Sequence, residues 1–276
     1  MKKNKPKRRV KKRLKVLLLL LLFTLAVSLV MITPLFNVSD IKVKGESHYK
    51  KEQIADASGL IKGENAFKTL FYKTGSIKNA GKLLLLRPSA SEESIYKGCP
   101  YVKKAVVRYS FPKSFNIDVI ERTPAFYSIY MGQKIILDEE GYVLEAGDNV
   151  SSLKLPLING LEIKGVKTGQ ALNLKDTYPF KTAVDLIKIL NESDSIDKKD
   201  IIKSLSTIDV ADTKRVSLTL DSRVTVVIGD TGSFNHEEFL RRVNFFKEVY
   251  AKNLSKEDKG TLEFSSDGKI DFLPQK

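Results

Sequence analysis

The sequence predicts an α+β chain: a single transmembrane helix, then a βααββ module, then a mixed β-rich domain with two helices. Three observations predict it. An uncharged run follows a basic start. Short alternating strands flank helical patterns in the first half. Strand signals with turn punctuation then dominate from Ala125 to the end, interrupted by two amphipathic stripes.

The 276 residues suit two modest domains plus an anchor. Of 47 Lys and Arg, ten fall in residues 1–15, leaving 37 against 33 acidic residues, a net of +4 for the rest. The basicity is therefore a tail, and a nucleic-acid function built on overall charge is not expected. One cysteine, Cys99, excludes an internal disulfide. Two histidines, His48 and His236, give no zinc spacing, so neither a metal nor a cofactor is expected.

Residues 1–15 read as a basic cytoplasmic tail. Val16 to Ser39 carries no charge, and Val16–Leu35 matches the ~20 helical residues that cross a ~30 Å hydrocarbon core. Ala26-Val27-Ser28 resembles a signal-peptidase site. The apolar run nevertheless continues beyond the ~7–15 residues of a signal segment, which favours a retained anchor at 16–35. The positive-inside rule then places the tail in the cytoplasm, resting on anionic lipid, and the remainder outside.

The first external module is expected over 36–123. Ile41 and Val43 alternate with Lys42 and Lys44 as a half-buried strand does, and Gly45 ends it. Residues 50–60 read as a helix stopped at Gly59, and Phe67, Leu70 and Phe71 recur at helical spacing. Residues 72–88 read as an insertion. Ser89 or Ser91 is expected to cap the next helix, which Cys99-Pro100 closes, with Cys99 as a buried small hydrophobe. A hairpin follows: Ala105, Val107 and Tyr109 share one face with Phe115, Ile117 and Val119, and Pro112-Lys113-Ser114 turns the chain. Pro124 ends the ladder.

The second module is expected over 124–276. AFYSIY, KIILD and GYVLE are three strands, and LPLING adds another. Phe180, Ala183, Val184, Ile187 and Leu190 form one helical stripe, and Phe239, Val243, Phe246 and Tyr250 another, opened by Asn235 and Glu238. Three strands over 206–228 lie between them. TLEFS and KIDFL close the chain as a hairpin around Ser266-Asp267-Gly268.

No catalytic residue is assigned. Asp230-Thr231-Gly232 matches the aspartic-protease triplet, but a second D-[ST]-G is missing and Gly229 precedes the aspartate. Turn composition accounts for it. His236 opens a helix, and Glu121-Arg122 reads as structural or partner-facing, since adjacent strand residues face opposite ways.

Taken together, the basic tail and anchor run into F-x-V-x-x-I-x-V-x-G (Phe36 to Gly45). Ser58-Gly59-Leu60, Pro100 to Val107, and F-P-x-x-F-x-I-x-V-x-E-R-x-P (Phe111 to Pro124) follow. This combination resembles the FtsQ/DivIB cell-division family. The resemblance implies a POTRA-like domain, a β domain and a non-enzymatic scaffold of the bacterial divisome at the septum. It also implies partners, the bitopic coiled-coil proteins FtsB/DivIC and FtsL, gripped along the last strand. Here that strand is Lys269, Ile270, Asp271, Phe272 and Leu273, with Ile270 and Phe272 on one face and Asp271 and Leu273 on the other. A membrane-anchored cell-surface enzyme or peptidoglycan-binding protein is the alternative.

Overall fold

The computed structural model describes residues 6–74, 81, 85–148, 150, 154–197, 200–265 and 268–275. They form two compact units, Met1–Glu121 and Arg122–Lys276.

The first unit opens with α1, Pro6–Met31. The helix thus begins inside the basic tail. Eighteen residues within Lys12–Met31 have a mean hydropathy of 2.7 and none of them is fully buried, so the stretch is long and apolar enough to cross a membrane. The helix stops at Met31 rather than reaching Leu35. Thr33 takes an extended conformation before Pro34, as the proline ring demands of its predecessor, and Pro34–Phe36 forms a separate 3-10 turn.

Then come β1 (Asp40–Lys44), α2 (Lys51–Ala57), α3 (Ala66–Thr74), α4 (Ser89–Gly98), β2 (Val102–Ser110) and β3 (Ser114–Glu121). The described residues hold three helices between β1 and β2, one more than the βααββ expectation. The sheet runs β1-β3-β2, with β1 parallel and β2 antiparallel to β3. A parallel neighbour needs a crossover, which the helices supply. Ala105, Val107, Tyr109, Phe115, Ile117 and Val119 all point into the core, with Ile54, Leu70 and Ile95 from the helices. Gly45 turns the chain out of β1 at φ +87°, where a Cβ would sit 2.1 Å from the carbonyl oxygen of Val119.

One expectation fails here. Neither Ser89 nor Ser91 caps α4; Pro88 holds that position, and both serines are buried within the helix. The anchoring comes instead from Glu92, whose Oε1 accepts from Arg87 (2.7 Å) and from the Val107 amide (3.0 Å), tying the helix start to β2. Of the 72–88 segment, 75–80 and 82–84 lie outside the described residues.

The second unit is built on nine strands in the order β14-β13-β12-β11-β10-β7-β4-β5-β6. Here β4 is Phe126–Tyr130, β5 Gln133–Leu137, β6 Val143–Gly147, β7 Leu157–Asn159, β10 Leu205–Asp209, β11 Val216–Leu220, β12 Val224–Gly229, β13 Gly260–Phe264 and β14 Ile270–Pro274. A two-stranded ribbon, β8 (Ile163–Gly165) with β9 (Asn173–Leu174), was not expected from the sequence. Three further helices occur: α5 (Tyr178–Asp197), the single turn α6 (Ile201–Ser204) and α7 (His236–Asn253).

The two long helices are crossovers. α5 lies between β7 and β10, which pair in parallel, and α7 lies between β12 and β13, which also pair in parallel. Each buries its predicted stripe: Phe180, Ala183, Val184, Ile187 and Leu190 on α5, and Phe239, Val243 and Phe246 on α7. Asn235 Oδ1 accepts from the Glu238 amide at 2.9 Å and caps α7.

Candidate functional site

The candidate site is β14, the terminal strand of the nine-stranded sheet. Among the described residues only its inner side is paired, antiparallel to β13, with Gly260 opposite Pro274, Leu262 opposite Phe272 and Phe264 opposite Ile270.

The hairpin fixes which backbone groups face outward. The Ser265 amide donates to the Lys269 carbonyl (2.9 Å), and the Gln275 amide donates to the Lys259 carbonyl (2.9 Å). In an antiparallel ladder, hydrogen-bonded pairs alternate with unbonded ones. Between those two bonded ends, Asp271 and Leu273 direct their amides and carbonyls at β13. Ile270, Phe272 and Pro274 direct theirs away from it. Pro274 has no N–H to offer, so it occupies an outward position without costing a ladder bond. The outer edge therefore presents two donors, at Ile270 and Phe272, and three acceptors, at Ile270, Phe272 and Pro274. Such an edge can take one more strand.

Side chains follow the same parity. Ile270 and Phe272 are half-buried and pack on the core face, while Asp271 and Leu273 are exposed. Lys269 stands just before the strand and contributes its carbonyl to the turn. Ser266 and Asp267, expected at the tip of that turn, lie outside the described residues.

The platform beneath the strand is well tied. Glu263 stands opposite Asp271, and Arg215 Nη2 lies 2.9 Å from Glu263 Oε1, offsetting two facing carboxylates. Arg223 Nη1 donates to the carbonyls of Ser255 (2.9 Å) and Asp258 (2.7 Å), holding the loop that enters β13. Its Nη2 donates to Tyr250 Oη (3.0 Å), and the Tyr250 hydroxyl donates to Asp221. Burial, and then that bond to Asp221, push the Tyr250 phenol up to about 12.

Gly260 is part of this site and was missed. No Cβ fits there, because the Leu273 carbonyl oxygen and the Phe272 ring both crowd the position. In the sequence it reads only as a turn glycine after Lys259.

The fold places the other candidates as follows. The Asp230 carboxylate accepts from the Gly232 amide at 3.0 Å and caps the 3-10 turn Thr231–Ser233. His236 is exposed, its Nε2 3.1 Å from Glu192 Oε1. Cys99 is buried. Glu121 is bonded into the first unit, accepting from the backbone at Ser47, His48 and Tyr49. Arg122 is bonded into the second, with Nη1 2.5 Å from Asp138 and its guanidinium 3.8 Å over the Tyr142 ring. Among the described residues, no three His, Cys, Asp or Glu converge as a metal site would require.

Comparison with known proteins covers much of both units. Residues 128–265 match the family model for the C-terminal region of cell division protein FtsQ/DivIB, and residues 72–122 match that for the FtsQ-type POTRA domain. The first match stops before β14. A cell division protein DivIB of Clostridium botulinum (strain Hall) is 28% identical over 62% of this chain and 60% of its own length. A DivIB of Clostridium tetani is 26% identical over 75% of this chain and 69% of its own length. A cell division protein FtsQ of Corynebacterium glutamicum is 22% identical over half of this chain. With one family model spanning half of its residues, its neighbour covering the POTRA region, and these relatives agreeing, the chain belongs to the FtsQ/DivIB family of cell division proteins.

Proposed function

We propose that this chain is a bitopic, non-enzymatic scaffold of the bacterial division machinery, acting at the septum. The basic tail lies in the cytoplasm on anionic lipid, α1 crosses the membrane, and both folded units stand outside. β14 captures a strand from an FtsB/DivIC-like partner, itself paired with an FtsL-like protein. The observation that carries this reading is the outward set of backbone groups at Ile270, Phe272 and Pro274 on a terminal strand. A partner strand pairing there would extend the sheet and align its apolar side chains with Ile270 and Phe272.

The test is binding of the external segment of the DivIC-like partner to the full chain. Phe272→Pro deletes an outward donor while leaving the bonded pairs at Asp271 and Leu273 in place, and Phe272→Asp removes the apolar contact. Both are expected to abolish capture; undiminished binding removes β14 from the interface. A fluorescent fusion at the N-terminus, with the native copy depleted, tests the wider role. A band at mid-cell and filamentous cells on depletion are expected, whereas an even halo with normal division would count against it.

A further inference from the structure

Where the first unit meets α1, large apolar side chains remain in solvent. Leu35, Phe71, Leu85 and Phe111 are each more than half exposed. Phe111 belongs to an aromatic cluster beside which the others lie in the chain. Phe36 packs edge-on against Phe67 (5.1 Å between ring centroids) and Phe111 (5.5 Å). Phe71 follows Phe67 by one helical turn, on the same side of α3. Leu85 precedes Leu86, whose carbonyl accepts from the Tyr109 amide (2.9 Å), two residues before Phe111.

This cluster is fixed to the end of α1. Asn65, at the start of α3, donates its Nδ2 to the carbonyls of Met31 (3.0 Å) and Thr33 (3.2 Å). The amides of Ser39 and Asp40 reach the Lys113 carbonyl beside Phe111 (2.8 and 3.3 Å). The end of α1 is therefore tied to the start of α3, beside the Phe36–Phe67–Phe111 cluster, and Lys68 and Lys113 are exposed.

We propose that this face is a second membrane contact, with Phe71, Leu85 and Phe111 seated among the lipid headgroups and upper acyl chains beside α1. The occupant is lipid. Aromatic rings favour the bilayer interface, where part of the ring is dry and part wet, and flanking lysines suit phosphate. Attachment to α1 argues for this, because a helix that crosses the bilayer brings these side chains to its surface at no further cost in translational freedom. The inference rests on α1 spanning a membrane and is independent of what β14 binds.

The chain has no tryptophan, so single replacements report cleanly. Phe111→Trp and Phe71→Trp probe the face. Ile120→Trp, also exposed, probes the far end of β3, six residues and about 20 Å beyond Ser114. Each full-length variant is reconstituted into phosphatidylcholine–phosphatidylglycerol vesicles, with and without brominated acyl chains. At the two face positions, blue-shifted emission and a loss of roughly half of it to brominated lipid are expected, as for residues ~5–10 Å inside the headgroup boundary. Ile120→Trp is expected to lose none. Equal quenching at all three positions, or none at the face, overturns the proposal. A blue shift without quenching overturns it too, because the shielding is then by protein. Carbonate-resistant association with the vesicles reads the anchor separately, and its loss overturns both the anchor and this contact, whatever β14 does.

Discussion

The ring of Phe272 lies over Gly260: a Cβ on Gly260 would stand 2.8 Å from the ring's Cε2 and 2.3 Å from the Leu273 carbonyl oxygen. A ring carbon can give way by turning; a backbone oxygen in a ladder cannot. Gly260→Val is therefore expected to displace β14 while leaving α7 and the inner strands in place. Hydrogen–deuterium exchange should accelerate at Asp271 and Leu273, whose amides face β13, with little change over 236–253. Partner capture should fall with it. Phe272→Ala, which keeps the glycine and loses a half-buried ring, should cost roughly 2 kcal/mol and weaken capture less. If Gly260→Val left exchange at Asp271 and Leu273 untouched, the ring and carbonyl would not constrain the strand.

That relationship also marks the limit of local reading. The alternation of Ile270 and Phe272 against Asp271 and Leu273 is visible in five letters, because side-chain parity is local. Which amides face outward is not, because it depends on how Ser265 meets Lys269 across the turn. The stripes on α5 and α7 were legible for the same reason as the strand parity. The parallel pairing of β12 with β13 was not, since its two strands are separated by the whole of α7. Asn235 was readable as a cap from its own neighbourhood. Ser89 and Ser91 were misleading, because the start of α4 is held by Glu92 reaching Val107 in β2, a tertiary bond. The β8–β9 ribbon pairs two and three residues, too few to give a periodic signal.

Glu121 sets an acid limit on the first unit. Its carboxylate accepts from the Ser47 hydroxyl (2.6 Å) and from the amides of Ser47 (2.8 Å), His48 (2.6 Å) and Tyr49 (3.2 Å). Burial pushes its pKa up, but these bonds outweigh burial and hold it below the ordinary 4.5. A carboxyl with a lowered folded value stabilises the fold fully above its unfolded value and loses that contribution as pH falls through the folded one. The stability of the first unit should thus decline below about pH 4.5. Glu121→Gln is expected to cost about 1 kcal/mol at neutral pH and to flatten the acid decline, as read by denaturant midpoints between pH 3 and 7 (on the order of the carboxylate range). A variant with an unchanged acid limb would assign the pH dependence to other carboxylates.

Cys99 should be silent in the native protein. It is 2% exposed and carries a thiol raised by burial and, secondarily, by the charge of Glu121. Both effects disfavour the reactive thiolate. Maleimide or disulfide-exchange labelling at neutral pH should be at least ~100-fold slower than in the unfolded chain and should track global unfolding of the first unit. Prompt labelling under native conditions would mean that α4 and β2 separate locally, since Cys99 lies between them.

The last prediction concerns a buried charge that joins α5 to α7. Lys247 is 1% exposed, and its Nζ lies 2.6 Å from Asp194 Oδ1 and 2.8 Å from Ser193 Oγ. The Ser193 hydroxyl in turn donates to Asn244 Oδ1 at 2.6 Å, and the Asp194 carboxylate also accepts from the Ile202 amide at the start of α6. Removing Asp194 alone takes away the 2.6 Å ion pair of a buried ammonium, so Asp194→Ala is expected to cost ~3 kcal/mol. Removing both charges with side chains of similar volume relieves that penalty. The double variant Asp194→Leu/Lys247→Met should therefore be much less damaged than Asp194→Ala, apart from the bond lost to Ile202. The coupling in a double-mutant cycle, read from denaturant midpoints, should be of the order of 2–3 kcal/mol. Additive losses would show that Lys247 draws its compensation from other groups, and that the pair does not set how the two crossover helices meet.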